Sequence, residues 1–270
     1  MNSNSATRAM VNDMLWRANE TIGVDVVGDN GKNMGSVEDV VLDRSASRIA
    51  YLIVSYGGLF GIGEKHFAVP WQAFGQTADR ELSLGIDPEE LKNAPGFEKG
   101  TLPITADPLF HKEVHSFYNT KPYSLDQQEQ DDDQAFDWDS WANRRNDTTW
   151  ARRLDDLTGM KIENAQGKSI AKLDDVIVDS REGRAVYAVV CSGGVMGFSK
   201  DRTIIPWNAL RLDVAHEVYV TGITLDQLKQ SKLSDTEYRN LENREYSRAL
   251  YSTFGTQPFW EEFSYETETN

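Results

Sequence analysis

Four groups of residues in this chain have the types and spacing that chemistry could use. His111 and His115 stand four apart in HKEVH, a spacing that puts two imidazoles on one helix face. Glu113 is out of place for a HExxH protease pattern and no third ligand is evident. The reading is a solvated helix face, with no metal. Asp39 with Asp43, and Asp175 with Asp179, look like carboxylate pairs for acid–base work. Four residues along a strand put such carboxyls about 13 Å apart, wider than glycoside chemistry needs. Asp43 and Asp179 also open turns, where a bond from side chain to backbone accounts for them. Cys191 sits in an apolar strand with no flanking base, so a buried, unreactive thiol is expected. Last come two Gly-rich stretches, GGLFGIG (57–63) and GGVMGF (193–198). Neither matches GxxxxGK[ST] or leads from a strand into a helix, so neither is read as a phosphate cradle. They are either hairpin tips folded over an open barrel end or an exposed apolar contact surface made of Leu59, Phe60, Ile62, Val195, Met196 and Phe198. No GxSxG, kinase set or dinucleotide fingerprint occurs. No catalytic residue and no cofactor is assigned, and the chain is not read as an enzyme.

The elements that position these residues come twice. Sliding the chain along itself until Gly23 lies on Gly159 also lays Gly31-Lys32 on Gly167-Lys168, Asp39 on Asp175 and Asp43 on Asp179. The same offset lays Arg48 on Arg184, Tyr51 on Tyr187, Gly57-Gly58 on Gly193-Gly194 and Pro70-Trp71 on Pro206-Trp207. From Thr21 to Gly85, 16 of 65 positions are identical without a gap, where chance gives about four. Within each copy Val37–Leu42, Ile49–Val54, Leu173–Val178 and Ala185–Val190 are rich in branched residues and read as strands. DNGK, DRSASR and DSREGR supply turns, and the two Pro-Trp pairs mark strand ends. Short strands at this spacing predict a small β-barrel. The recurring Arg48/Arg184 and Tyr51/Tyr187 either form a binding face or pack on the barrel wall, with the arginine head paired to a turn aspartate.

Helices follow the strands. Asp87-Pro88-Glu89-Glu90 is an N-cap with proline at the first helical position, and Thr224 with Gln227 is a capping box. Two further helices are expected to start at Asp107-Pro108 and at Ser234–Glu237. The repeat reaches into these extensions, since FHKEVHSFYNTKPY (110–123) lies over YSRALYSTFGTQPF (246–259). Free tails seldom carry so many aromatics, so each cluster is expected to pack on a barrel, its own or the other. The domain reading is therefore a 1–19 extension, a 20–95 barrel, a 96–125 helical aromatic extension, a 126–150 acidic linker, a 151–230 barrel and a 231–270 helical aromatic extension.

Composition narrows the function. With 39% apolar residues the chain has material for a core, and a net charge of −15 opposes contact with phosphate backbones and anionic lipid. Most of the excess acid falls outside 151–230, where 11 acids meet 11 bases. No run of 18 apolar residues exists to span a membrane, and the opening MNSNSATRAMVNDMLW does not read as a signal peptide. A single cysteine suits a reducing cytoplasm.

Residues 22–71 carry IGVDVVG, MGSVEDVVLD, RIAYLIVSYGG and FAVPW. This segment resembles the PRC-barrel family, and 158–207 resembles it in a more diverged form. That family takes in the cytoplasmic part of the photosynthetic reaction-centre H subunit and the C-terminal domain of RimM-type ribosome maturation factors. The resemblance implies a mainly β fold, two small antiparallel barrels with helical extensions, used for protein–protein contact and assembly. The chain looks most like stand-alone bacterial tandem proteins of the family, so the expected partner is a protein, neither nucleic acid nor membrane. Two barrels in one chain make a pseudo-dimer and a bivalent binder, with homo-oligomers and a role under stress as further expectations. The alternative, by analogy with the H subunit alone, is a small-molecule or quinone-associated regulator.

Overall fold

The computed structural model describes residues 15–57, 65–76, 81–98, 108–123, 150–192, 201–231 and 237–261. They form two compact units. One lies within Glu20–Arg153, and the other joins Asp13–Asn19 to Leu154–Asn270.

The described residues begin with β1 (Leu15–Arg17), which belongs to the second unit, and the short helix α1 (Ala18–Thr21). The strands of the first unit are β2 (Asp25–Gly28), β3 (Asn33–Asp43), β4 (Arg48–Tyr56), β5 (Lys65–Pro70), β6 (Phe74–Gln76), β7 (Leu82–Leu84) and β8 (Gly96–Phe97). Between β7 and β8 lies the helix α2 (Pro88–Leu91), and α3 (Pro108–Phe117) follows. The long strand β3 organises the unit. One edge runs antiparallel to β4 from Ser36↔Ser55 to Asp43↔Arg48. The other edge is divided: its first half pairs with β2, and its last three residues pair with β9 (Ala151–Arg153). β5 pairs with β4 and β8, and β6 with β7. The family resemblance implies an antiparallel barrel, and one pairing departs from that: β2 and β7 run parallel, Val26 opposite Leu82. Val40, Leu52, Val54, Val69, Leu82, Leu84 and Leu91 are buried in the core.

In the second unit the helix α4 (Leu154–Leu157) leads into β10 (Lys161–Asn164), β11 (Ser169–Asp179), β12 (Arg184–Ser192), β13 (Asp201–Pro206), β14 (Leu210–Asp213) and β15 (Val218–Thr221). Two more helices follow, α5 (Leu225–Gln230) and α6 (Arg244–Phe254). The bounds of β10, β11 and β12 are those of β2, β3 and β4 moved by the offset that lays Gly23 on Gly159. The bulges repeat as well, at Val37/Asp39 and Val41/Leu42, then at Leu173/Asp175 and Ile177/Val178. β10 pairs parallel with β15 as β2 does with β7. β11 carries β1 on its last residues, Leu15 opposite Asp179. In each unit, then, the strand beside the end of the long strand comes from the segment preceding the other barrel in sequence. Chain order had suggested placing 151–153 with the second barrel, but the hydrogen bonds of these residues go to β3 in the first.

Local signals account for the ends of the elements. Asp87 caps α2 by accepting from Glu89 N and Glu90 N, and Thr224 and Gln227 form the expected capping box on α5. Pro70 and Pro206 end their strands and turn into 3₁₀ segments that bury Trp71 and Trp207. One expected start needs correction. The cap of α6 is Asn243, which accepts from Glu245 N and Tyr246 N, because Glu237–Glu242 forms a separate 3₁₀ segment before it. Asp107 and Ser234 lie outside the described residues.

Gly35 shows how closely β3 crosses β4. It holds φ +110°, and a Cβ there would lie 1.8 Å from the Ser55 carbonyl oxygen. Gly35→Ala is therefore expected to cost about 3 kcal/mol or more of unfolding free energy, combining backbone strain with a displaced strand. An unchanged urea midpoint would show that the crossing is not this tight.

Candidate functional site

In each unit a tyrosine on the second long strand holds the helix of the extension. Tyr51 of β4 lies opposite Pro70 and is buried among Val41, Ala50, Ile53, Ala68, Val114, Trp150 and Ala151. A phenol in such a place needs a hydrogen-bond partner, and α3 supplies two. The Tyr51 hydroxyl lies 2.7 Å from His111 Nδ1 and 3.3 Å from His115 Nε2, and His115 Nδ1 lies 2.9 Å from Thr120 Oγ1. His111 stacks on the Tyr51 ring and meets Trp150 edge-on. The two imidazoles are 3% and 2% exposed. They are not a solvated face, because the i, i+4 spacing that could grip a metal here aims both rings at one hydroxyl.

The second unit repeats the arrangement with different side chains. Tyr187 of β12 donates to Ser247 Oγ at 3.0 Å, and Ser247, at the position of His111, donates in turn to the Leu241 carbonyl. Tyr251, at the position of His115, packs against the Tyr187 ring and donates to the Val186 carbonyl. Burial pushes the Tyr187 phenol up to about 12, with its bonds to Ser247 and Tyr251 opposing that in part. Both helices stop in the left-handed region, at Asn119 (φ 49°) and Gly255 (φ 68°), each C-terminal to its helix by the same offset.

The chain beyond each helix returns to its own barrel. Tyr123 donates to Asp43 Oδ2 at 2.8 Å, under the Arg48 guanidinium 5.8 Å from its ring centroid. Phe259, the matching residue, lies 5.4 Å under Arg184, which also donates to the Phe259 carbonyl. In the repeated Arg–Tyr pairs, Arg48 lies opposite the turn aspartate Asp43 and Arg184 opposite Asp179. The arginines cover the aromatic ends of the extensions, and the tyrosines anchor the helices. Each aromatic cluster packs within its own unit.

The acids resolve into two roles. Asp43 and Asp179 accept from the backbone two residues on, at Ser45 N and Arg181 N, as turn-opening aspartates do. Asp39 and Asp175 are buried near the short strands that pair with the last residues of β3 and β11. Asp39 takes Arg153 Nε of β9, and Asp175 takes Arg17 Nε of β1 at 2.9 Å, together with Asn19 N and Val176 N. Arg17 and Arg153 are themselves related by the offset of the repeat, a signal the sequence carried outside the window that was compared. Burial raises the Asp175 carboxyl to about 6, with Arg17 and the backbone donors pulling it back in part.

A third repeated pair was not anticipated. The bulge residues Glu38 and Asp174 reach over the neighbouring strand to His66 and Arg202, the latter at 2.8 Å. Cys191 lies directly opposite Arg202 in β12. The expectation of a buried thiol with no base beside it is corrected: Cys191 is half-buried, with Arg202 next to it. Burial, and then the Asp174 carboxylate, still push the thiol up. Leu59, Phe60, Ile62, Val195, Met196 and Phe198 lie outside the described residues. Among the described residues no group of three His, Cys, Asp or Glu is placed to hold a metal ion, and no helix is long and apolar enough to cross a membrane.

The two units, with shared bulges and a Pro-Trp turn, define a small-barrel class. The PRC-barrel domain family matches residues 16–83 and 151–227, more than half of the chain, and the chain belongs to that family. Domains of this kind generally serve interaction and assembly rather than catalysis. No curated protein matches the chain.

The buried Asp175 gives a pH signature. A carboxyl held near 6 when folded, against 3.8 ordinarily, favours the folded state below pH 4, and this contribution is lost as pH rises through 6. The unfolding free energy of the wild type relative to Asp175→Asn is expected to fall by about 2 kcal/mol between pH 4 and pH 7, at 1.36 kcal/mol per unit of pKa shift. Parallel stability curves for the two proteins would contradict the assignment.

Proposed function

We propose that this chain is a non-enzymatic interaction or assembly protein that presents two barrels to protein partners inside the cytoplasm. The observation that carries this reading is the fate of the repeated polar residues. Tyr51 and Tyr187, Arg48 and Arg184, and Asp39 and Asp175 are each engaged in holding strands and extensions in place. A catalyst needs ionisable groups that converge on a substrate, and these groups are occupied in the fold.

The remaining repeated feature of the sequence is the pair of Gly-rich segments. Their side chains Leu59, Phe60, Ile62, Val195, Met196 and Phe198 are the proposed contacts, since apolar residues between glycines are unusual unless covered by something. Family membership and the acidic charge support a protein as the partner, one with a basic surface in particular. The quinone-associated alternative makes a different forecast, a rise in melting temperature on adding a soluble quinone, and no such rise is expected on the present reading.

The test replaces all six residues with Ser and compares the variant with the wild type in capture from a native lysate. The variant is expected to keep its melting temperature within a few degrees and to lose the proteins that the wild type retains. Equal capture by both would remove these segments as the contact, and a collapse of the melting temperature would make them part of the fold instead.

A further inference from the structure

The two units share their strands but differ in what lies beside the turn between the first two strands of each barrel. In the second unit a cavity of about 500 Å³ opens between the β10–β11 turn, the end of β12 and the start of α5. Ile170 and Ile223 form its floor, 8% and 3% exposed, and Lys168 and Lys229 stand exposed at its mouth. We propose that this cavity binds a small organic anion with an apolar body, and that the first unit has filled the matching place with its own side chains.

Charge and hydrogen bonding define the ligand. Among the described residues the lining holds two lysines and no carboxylate, in a chain whose net charge is −15. Neither lysine makes an ion pair with the described residues, so both are available to an anionic head. Ser192 supplies a polar group inside. It is 5% exposed, and its hydroxyl takes part in no hydrogen bond among the described residues. Its polar neighbours are engaged: Asn164 Oδ1 accepts from Gln166 N and Lys168 N, and Thr224 is held in the capping box with Gln227. A buried hydroxyl without a partner costs free energy, and a polar atom at the far end of a ligand removes that cost. A cavity of this volume, largely apolar with a few placed polar groups, has the make-up of a small-molecule site.

The first unit shows what closes the same place. By the offset of the repeat, Gly28 stands for Asn164, Met34 for Ile170 and Tyr56 for Ser192. Met34 is fully buried, and a Cβ on Gly28 would lie 2.7 Å from the Ile86 carbonyl oxygen and 2.8 Å from Met34 Sδ. Asp29 N donates to that same carbonyl. From β15 onward the offset grows by one residue, which lays Tyr219 on Leu82, Ile223 on Ile86 and Lys229 on Lys92. Asn164 carries the Cβ for which the first unit has no room. Ala165 N makes no bond to the Ile223 carbonyl among the described residues, so β10 stands back from Ile223. The Tyr56 phenol lies close enough to Lys92 to bear on its charge, and Lys92 is already paired with Glu89 at 2.6 Å. Thioether and phenol thus occupy in one unit the space that isoleucine and serine leave open in the other.

Titration of the full isotope-labelled chain with octanoate and with ω-hydroxyoctanoate, followed by amide chemical shifts, tests the site. With either probe at up to about 10 mM, shifts are expected to gather at 164–170 and 222–229 and to leave the matching 28–34 and 85–92 unmoved. The ω-hydroxy acid is expected to bind about threefold to tenfold more tightly than octanoate, a difference that Ser192→Ala removes. In Lys168→Gln/Lys229→Gln both acids are expected to bind about tenfold more weakly. Octanol, which lacks the charge, is expected to bind the wild type more weakly than octanoate by a similar factor. The triple exchange Asn164→Gly/Ile170→Met/Ser192→Tyr installs the residues of the first unit and is expected to abolish binding. The proposal is overturned if neither acid shifts these amides, if the matching segments of the first unit shift as much, or if octanol binds as well as octanoate. The wild-type titrations need no substitution, so they decide the question even if the triple variant fails to fold.

Discussion

A tyrosine hydroxyl inside a hydrophobic cluster cannot be left alone without losing on the order of 1–3 kcal/mol, and that constraint organises both units of this protein. Tyr51 and Tyr187 occupy matching places on the strand that runs beside the long, bulged one. Each hydroxyl is met by the helix that follows its barrel. The helix closes over an apolar face, and the chain after it returns under an arginine of the same strand. The extension is thus a wall of its unit. The aromatic residues that would otherwise make it sticky lie against the barrel.

The buried carboxylates impose the second condition. Asp39 and Asp175 stand one residue beyond a bulge, where the extra residue re-aims the side chains that follow. Each is met by an arginine on a three-residue strand. Taking a carboxylate out of water is costly unless the partner and further donors are in place. The small strands β1 and β9 therefore do more than add a few backbone bonds: they bring the charge that lets the bulge exist.

Much of this was legible in the sequence, and the exceptions have physical causes. The constant offset between the two copies located every long strand, the Pro-Trp ends and the turn aspartates, and local cap signals located α2 and α5. The pairing of β1 and β9 was not legible, because three residues such as LWR or ARR have no period and their partner lies more than a hundred residues away. The histidines were misread for a different reason. Comparison by identity set His111 against Ser247 and His115 against Tyr251 and found nothing shared. What the two copies keep is a hydrogen-bonding role, which imidazole, hydroxyl and phenol can each fill. The parallel pairings β2–β7 and β10–β15 also escaped, since strand patterns carry no direction.

The borrowing of β9 by the first unit has a consequence for synthesis. The ribosome delivers β2 to β8 early, but the edge of β3 at Val41–Asp43 stays open, and Asp39 lacks its arginine, until Arg153 has left the exit tunnel. At about 5–20 residues per second, the stretch of roughly 55 residues between Phe97 and Arg153 delays completion by several seconds. During that interval a nascent chain shows an unpaired strand edge to whatever is nearby, including an identical chain on the next ribosome of the same message. The acidic run DQQEQDDD (126–133) emerges within that window, and like charges on neighbouring nascent chains keep such edges apart.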